Sequence, residues 1–213
     1  MNLYHFITYF VCLHILFAGS LSTDPKAGLS KIDNGNTITD CNMSLDEALK
    51  GIVIPQKLKS NLELIDVEYY SMDSKLHKGQ LLLAKDLSYE VKSIFEEIKM
   101  SKYPIAKVIP IVKYHWLDSL SMLDNNSSCF NYRSVKGTKI LSSHALGRGI
   151  DINPLLNPQF KRGKVSPENA HYNPSIPGTL TESSFVVKAF KKRGWKWGGT
   201  WKSTKDYQHF EKK

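Results

Sequence analysis

The chain has 213 residues, of which 41% are hydrophobic, 11% aromatic and 23% charged. This balance is typical of a globular protein with a substantial core, and it excludes a disordered, collagenous or coiled-coil chain. Lys and Arg number 29 against 20 Asp and Glu, a formal net charge of +9, which favours anionic partners without choosing among nucleic acid, membrane and acidic polymers.

Residues 1–20 are predicted to be a secretory signal peptide. An almost wholly apolar stretch at 6–18 is followed by the small residues Gly19 and Ser20, which suits removal by a signal peptidase. No Lys or Arg precedes this stretch and the uncharged run is long, so an uncleaved membrane anchor stays an alternative. We therefore expect an extracytoplasmic protein, periplasmic or secreted, that contacts the membrane only if this segment is uncleaved.

Residues 21–43 are rich in Gly, Asn, Ser, Thr and Asp and lack hydrophobic periodicity, which is typical of a linker. We therefore expect the domain to span residues 44–213. Removal of the signal peptide leaves Cys41 and Cys129. In an oxidising compartment these two residues form one disulfide or stay as buried thiols, and the sequence leaves both alternatives open.

Helix and strand patterns alternate along the domain. Ser44-Leu-Asp-Glu47 is a capping box and predicts a short helix that ends at Gly51. Residues 62–70 and 80–84 are rich in β-branched and aliphatic side chains, and they are predicted to form two strands separated by a loop.

Two further helices are predicted. The first is capped by Asp86 or Ser88, and the second begins at the capping box Thr179-Leu-Thr-Glu182 and ends at Gly194. The apolar face of the first consists of Val91, Ile94, Phe95 and Ile98. Residues 105–114 are strand-like, although a proline restricts them to an edge or a bulge. This order predicts a single α+β domain, a small antiparallel sheet with helices packed on it.

The segment between His144 and Asp151 is a candidate metal motif. Gly147 and Gly149 lie between the two residues, where they allow tight backbone turns beside a ligand. Apolar residues alternate with polar ones around Asp151, so a strand here directs Asp151 into a cavity. A buried carboxylate needs a cation or hydrogen-bond donors.

A second strand-like run, residues 207–211, contains His209. Two His and one Asp supply three zinc ligands and leave the fourth tetrahedral position to water. A hydrogen-bonded His–Asp pair without metal is the competing interpretation of this spacing.

Two motifs together carry a family resemblance. SxHxxGxGxD over residues 142–151 and DxxH over residues 206–209 resemble the signature of zinc D-alanyl-D-alanine carboxypeptidases and dipeptidases, a family that includes L-alanyl-D-glutamate endopeptidases. The family usually has Ala where this chain has Gly149, and a smaller residue should leave the metal site intact. The resemblance covers roughly residues 80–211, including a Trp-rich segment before the second motif.

The resemblance implies the α+β fold shared by hedgehog signalling domains and D-Ala-D-Ala peptidases. It implies one zinc ion, whose ligands are His144, Asp151 and His209. Amide hydrolysis also needs a carboxylate that takes a proton from water. Strand alternation places Glu211 on the face of His209, whereas the family motif places the base at Asp206. We assign the base to Asp206 and expect Glu211 to orient a metal ligand.

Three more side chains are candidate substrate-binding residues. The resemblance suggests that Arg133 stabilises the substrate carbonyl or a terminal carboxylate, both of which suit a bidentate donor. Ser142 binds substrate or is a turn residue. Among the C-terminal tryptophans, Trp195 and Trp197 are expected to be structural and Trp201 to lie partly at the site.

The sequence therefore predicts a monomeric, secreted or periplasmic zinc peptidase of peptidoglycan stem peptides, of the D-Ala-D-Ala carboxypeptidase or L-Ala-D-Glu endopeptidase type. The alternative is a catalytically silent zinc-binding interaction domain of the hedgehog type. A nucleic-acid partner is not expected, because the chain has no basic recognition helix and no zinc-finger spacing.

Overall fold

The computed structural model describes residues 37–213, so the predicted signal peptide and most of the predicted linker lie outside the described residues. A long antiparallel hairpin joins β2 (Leu62–Tyr70) to β3 (Leu76–Ala84). The strand predicted over 62–70 is confirmed, and its partner begins before residue 80.

A short strand, β1 (Ile38–Thr39), pairs with β3 in parallel. The Gln80 side chain accepts a hydrogen bond from the backbone N–H of Met43 at 2.7 Å and donates one to its carbonyl oxygen at 3.2 Å. Regular structure therefore begins before Ser44. The segment is held by backbone pairing and by two polar side chains, Asp40 and Cys41, so it shows no hydrophobic periodicity.

Five α-helices occur in the described residues: α1 (Leu45–Ala48), α2 (Gln56–Lys59), α3 (Ser88–Met100), α4 (Asp118–Leu123) and α5 (Phe185–Lys191). The capping box at Ser44 is confirmed, since Ser44 and Glu47 exchange both hydrogen bonds. Helix α3 lies along β2 and also contacts α5. Its predicted apolar face is buried in the main core, together with residues of α5 and of the C-terminal strands.

The remaining strands are short: β4 (Lys107–Val108), β5 (Asn126–Ser127), β6 (Gly149–Asp151), β7 (Gln159–Lys161), β8 (Lys164–Ser166), β9 (Lys196–Trp197), β10 (Thr204–Asp206) and β11 (His209–Glu211). Within residues 37–213 they form the sheets β10-β7-β8, β6-β11-β9 and β4-β5 beside the hairpin sheet β1-β3-β2. The predicted α+β class is confirmed, with its strands divided among several small sheets.

Three element predictions were wrong. Residues 105–114 contain only the two-residue strand β4, and Ile111–Tyr114 is a 3-10 helix that begins after Pro110. Helix α3 has no side-chain cap, because a 3-10 turn at Lys85–Leu87 leads directly into it. Helix α5 begins at Phe185 rather than after Thr179, since the Ser184 hydroxyl is engaged in a local turn with Thr181.

No disulfide joins Cys41 to Cys129, and both are buried thiols. The Cys41 thiol donates a hydrogen bond to the side-chain oxygen of Gln80 at 3.1 Å. Among residues 37–213, no helix is both long enough and apolar enough to cross a membrane.

Candidate metal centre

Three chain segments bring His144, Asp151 and His209 together. Asp151 ends β6 and His209 begins β11, and these two residues are directly opposite each other in the antiparallel pair. His144 begins a 3-10 helix, His144–Leu146, next to β6. All three residues are buried, and each offers a ligand atom within 4.8 Å of the others.

The separations among the donor atoms are close to those around a tetrahedral metal, with each imidazole nitrogen nearest to a different oxygen of Asp151. His144 Nε2 lies 3.1 Å from His209 Nδ1 and 3.3 Å from Asp151 Oδ2. His209 Nδ1 lies 2.9 Å from Asp151 Oδ1. Zinc bonds of about 2.0–2.1 Å in a tetrahedron place ligand atoms about 3.3 Å apart. The donor set of two imidazoles and one carboxylate is also one that zinc prefers.

The outer nitrogen of each imidazole has its own partner. His144 Nδ1 lies 2.7 Å from the carbonyl oxygen of Cys129, an acceptor that holds the proton on Nδ1 and leaves Nε2 free to bind a metal. His209 Nε2 lies 3.4 Å from Ser143 Oγ and 3.6 Å from Glu211 Oε2. These two oxygens leave His209 Nδ1 as its metal-binding atom.

Two glycines allow the close packing around His144. Gly147 has a φ of +67°, and a Cβ there would lie 2.5 Å from the backbone nitrogen of Ala84. A Cβ on Gly149 would lie 2.6 Å from Ser143 Oγ and 3.1 Å from Cε1 of His209. Gly147 is therefore restricted to glycine by its φ and by a backbone neighbour, whereas the nearest neighbour of Gly149 is a side-chain hydroxyl that can rotate away.

Asp206 lies beside the three residues on a different sheet. It ends β10, opposite Gln159 of β7, and the Gln159 side-chain amide donates a hydrogen bond to Asp206 Oδ2. The chain leaves this sheet at Asp206 and enters the next at His209, so the run at 207–211 is a strand only from His209 onward. In one continuous strand, Asp206 and His209 would point to opposite faces. Because the chain changes sheet between them, Asp206 lies near His209.

Buried charges alter the pKa values of the cluster. Burial would raise the pKa of Asp151, but His144 and His209 together lower it well below its usual range. Burial opposes the charged form of His209, but Asp151 and Glu211 raise its pKa to about 10. Burial and the nearby Asp151 carboxylate raise the pKa of Asp206. Asp206 Oδ1 is buried without a hydrogen-bond partner among the described residues, so it is free to accept a proton from a bound molecule.

Arg133 and Ser142 lie next to each other near His144. The Arg133 guanidinium donates to Asp118 at 2.8 Å, and its Nε is buried without a partner in the described residues. The backbone N–H of Ser142 donates to the Arg133 carbonyl oxygen. The Ser142 hydroxyl accepts a bond from the His144 N–H at 3.3 Å, which is the turn role that the sequence left open.

The three C-terminal tryptophans differ in their surroundings. Trp195 and Trp197 are buried in the main core, and their indole N–H groups donate to Glu90 and to the Tyr207 carbonyl oxygen. Trp201 is half-buried, and its ring centre lies 5.5 Å from that of His209. The Trp201 indole therefore forms one wall of the candidate metal centre.

Sequence reasoning missed three contributors to the site: Gln159, the Cys129 carbonyl group and the Ser143 hydroxyl. Ser143 lies between two motif residues, and adjacency to His144 was the one signal that could have indicated it. Neither Gln159 nor Cys129 is close in sequence to a motif residue. Gln159 lies at the site because β7 pairs with β10, and Cys129 because its carbonyl oxygen faces His144 in the folded chain.

The two motifs and this geometry agree with the comparison with known families. Residues 136–212 match the family model described as D-alanyl-D-alanine carboxypeptidase. The match confirms the resemblance and supports a peptidase of that type. It includes His144, Asp151, Asp206 and His209, whereas Arg133 lies just before it. No solved structure matches the chain significantly.

Proposed function

We propose that the protein is a zinc-dependent peptidase that hydrolyses peptidoglycan stem peptides, as a D-Ala-D-Ala carboxypeptidase or an L-Ala-D-Glu endopeptidase. The observation that carries the proposal is the buried group of His144, Asp151 and His209 with the unpartnered oxygen of Asp206 beside it. The family match supports this class of reaction. One zinc ion bound by the three residues would supply Lewis acidity and lower the pKa of a water molecule.

Asp206 takes the proton from the attacking water and returns it to the leaving amine. Its raised pKa suits a group that must both accept and release a proton near neutral pH. The Gln159 amide holds Oδ2 in place, so Oδ1 is the atom that carries the proton. Glu211 and Ser143 keep His209 oriented through its outer nitrogen.

Arg133 is assigned to the substrate side of the reaction. Asp118 orients its guanidinium, and the side chain is 34% exposed, so its other N–H groups are available to donate to a carbonyl oxygen or a carboxylate. Trp201 supplies an apolar wall next to His209. The Ser142 hydroxyl accepts a hydrogen bond in the turn at His144 and keeps its own proton to donate to a substrate.

We further propose that the protein acts outside the cytoplasm after removal of residues 1–20, as a monomer without a nucleic-acid partner. Its net charge of +9 is consistent with an anionic cell wall. Cell fractionation with detection by an antibody against the chain tests this location. Recovery in the cytoplasm with the apolar segment intact would contradict it.

The test of the proposed reaction compares the full-length protein with Asp206→Asn. We expect both to contain about one zinc per chain by elemental analysis, and the variant to hydrolyse stem peptides at least ~100-fold more slowly. Zinc in both proteins with no hydrolysis by either would favour a catalytically silent zinc-binding domain. Absence of zinc from the wild-type protein would contradict both functions.

A further inference from the structure

A pair of lysines lies on the sheet that carries Asp206. In the sheet β10-β7-β8, Asp206 is opposite Gln159, and Lys161 is opposite Lys164. Side chains two residues apart along a strand point to the same face, so Lys161 shares the face of Gln159, whose amide donates to Asp206. The lysine pair therefore lies on the same face of this sheet as Gln159 and Asp206, next to the candidate metal centre.

The two lysines have no anionic partner within residues 37–213. Both are exposed, and neither takes part in the ion pairs of the described residues. Like charges directly opposite on neighbouring strands are destabilising. An anion bound between them would remove this repulsion.

A tight turn holds the pair in register. Arg162 and Gly163 connect β7 to β8 with φ values of 51° and 74°. Positive φ at both central residues is typical of a type I′ turn, which matches the twist of a two-stranded hairpin. The exposed Arg162 adds a third positive charge at the tip of the hairpin. The tight turn fixes the backbone positions of all three cationic residues.

The spacing indicates which anion this is. Two residues along a strand span about 7 Å, which is also the length of about two residues of an extended peptide. We propose that Lys161 and Lys164 bind a carboxylate of the substrate peptide about two residues from the scissile bond. The proposal rests on the proposed peptidase function and names the chemistry of its substrate.

A long polyanion fits this surface less well than an acidic peptide. A polymer needs a continuous row of cations. The next lysine on this sheet is Lys205, which is adjacent to Asp206 in β10 and therefore points to the opposite face. Its ammonium group donates to the Gly199 carbonyl oxygen at 3.3 Å. A single carboxylate needs only the Lys161–Lys164 pair.

The proposal applies to cleavage between the two D-Ala residues of a stem peptide, because the D-Glu carboxylate then lies two residues from the scissile bond. The test uses two synthetic pentapeptides, L-Ala-γ-D-Glu-L-Lys-D-Ala-D-Ala and the same peptide with the α-carboxylate of D-Glu amidated. We expect the zinc-loaded wild-type protein to prefer the free carboxylate about five- to tenfold in kcat/KM, mainly through KM. Lys161→Gln with Lys164→Gln should reduce the preference to less than about twofold and leave hydrolysis of the amidated peptide unchanged. High salt should weaken the preference of the wild-type protein only.

Lys57→Gln with Lys75→Gln is the matched control, because both lysines are exposed and lie on other elements, α2 and the β2–β3 turn. It should keep the preference. Equal hydrolysis of both peptides by wild type, or an equal loss for both peptides in the Lys161 and Lys164 variant, would overturn the proposal. Thermal unfolding of each variant verifies that it is folded.

Binding separates this proposal from the proposed function. If zinc-loaded protein hydrolyses neither peptide, fluorescence anisotropy of the two labelled peptides still measures their affinities. Tighter binding of the free carboxylate that the double variant loses would support the lysine pair while contradicting the peptidase. Equal affinities would overturn the lysine pair as well.

Discussion

Single atoms decide the chemistry of the candidate metal centre. The Cys129 carbonyl oxygen faces Nδ1 of His144, and Ser143 and Glu211 face Nε2 of His209, so the two imidazoles offer different nitrogens to a metal. The motifs identify the side chains but not these atoms, because the partners depend on the folded backbone.

His209→Ala is predicted to remove zinc from the protein, because it deletes one of three ligands. Elemental analysis after gel filtration measures this loss.

Glu211→Ala should retain zinc but bind it about 10-fold more weakly, since the substitution removes one partner of the outer His209 nitrogen. Full turnover in Asp206→Ala together with inactive Glu211→Ala would show that the base is Glu211.

A double-mutant cycle measures the coupling between Ser143 and Gly149 in zinc binding. A Cβ at Gly149 would lie 2.6 Å from Ser143 Oγ, so Gly149→Ala should rotate this hydroxyl away from the outer nitrogen of His209 and weaken zinc binding about 10-fold in competition with a chelator. Ser143→Ala removes the same contact and should give a similar loss, with no further loss in the double variant. Additive losses in the double variant would show that the two side chains act independently.

At the scale of elements, the sequence predicted regular segments well and short ones poorly. Strand β2 and the buried face of α3 follow clear periodicity over nine and 13 residues. Residues 105–114 look equally apolar, yet Pro110 and the backbone pairing of β4 divide them. Strand β10 is three residues long and pairs with β7, more than 40 positions earlier, so no local pattern indicates it.

Gly147 joins the metal motif to the hairpin. Gly147→Ala is predicted to destabilise the fold by about 3 kcal/mol, because it forces a strained positive φ and brings a Cβ to 2.5 Å from the Ala84 nitrogen. Urea unfolding measures the change. A similar substitution at Gly137, where a Cβ would have no neighbour within 4 Å, is the control for the φ term alone, and equal losses at both positions would contradict the packing argument.

Helices α3 and α5 are joined by an ion-pair cluster. Arg193 and Lys192 hold Glu97 and lower its pKa to about 2. Because the folded-state pKa is lowered, the stabilisation is complete above the ordinary pKa of Glu and disappears as the pH falls from about 4.5 towards 2.

Glu97→Gln should therefore cost about 1 kcal/mol of unfolding free energy at pH 7 and progressively less below pH ~4.5. Urea unfolding of wild type and variant across this range measures the difference. Glu182→Gln, an exposed partner of Lys191, should cost little at any pH. A cost for Glu97→Gln that is constant with pH would contradict the ion-pair account.

At the scale of the whole molecule, the proposed zinc site would couple metal binding to folding. The three ligands come from segments separated by up to 65 positions, His144 to His209, so an unfolded chain does not present them together. Zinc at 1,000 times its Kd would add about 4 kcal/mol of stability. We expect chelation to lower Tm by about 10 °C, measured by calorimetry. An unchanged Tm in a protein that contained zinc would contradict this coupling.

The most direct test of the central claim is mass spectrometry of stem pentapeptide incubated with the full-length protein, with a chelator, and with zinc restored after chelation. We expect cleavage at one peptide bond, its loss with the chelator and its recovery with zinc, and the fragment masses identify the bond. Cleavage that persists after zinc has been removed, or intact peptide with zinc-loaded protein, would contradict the account.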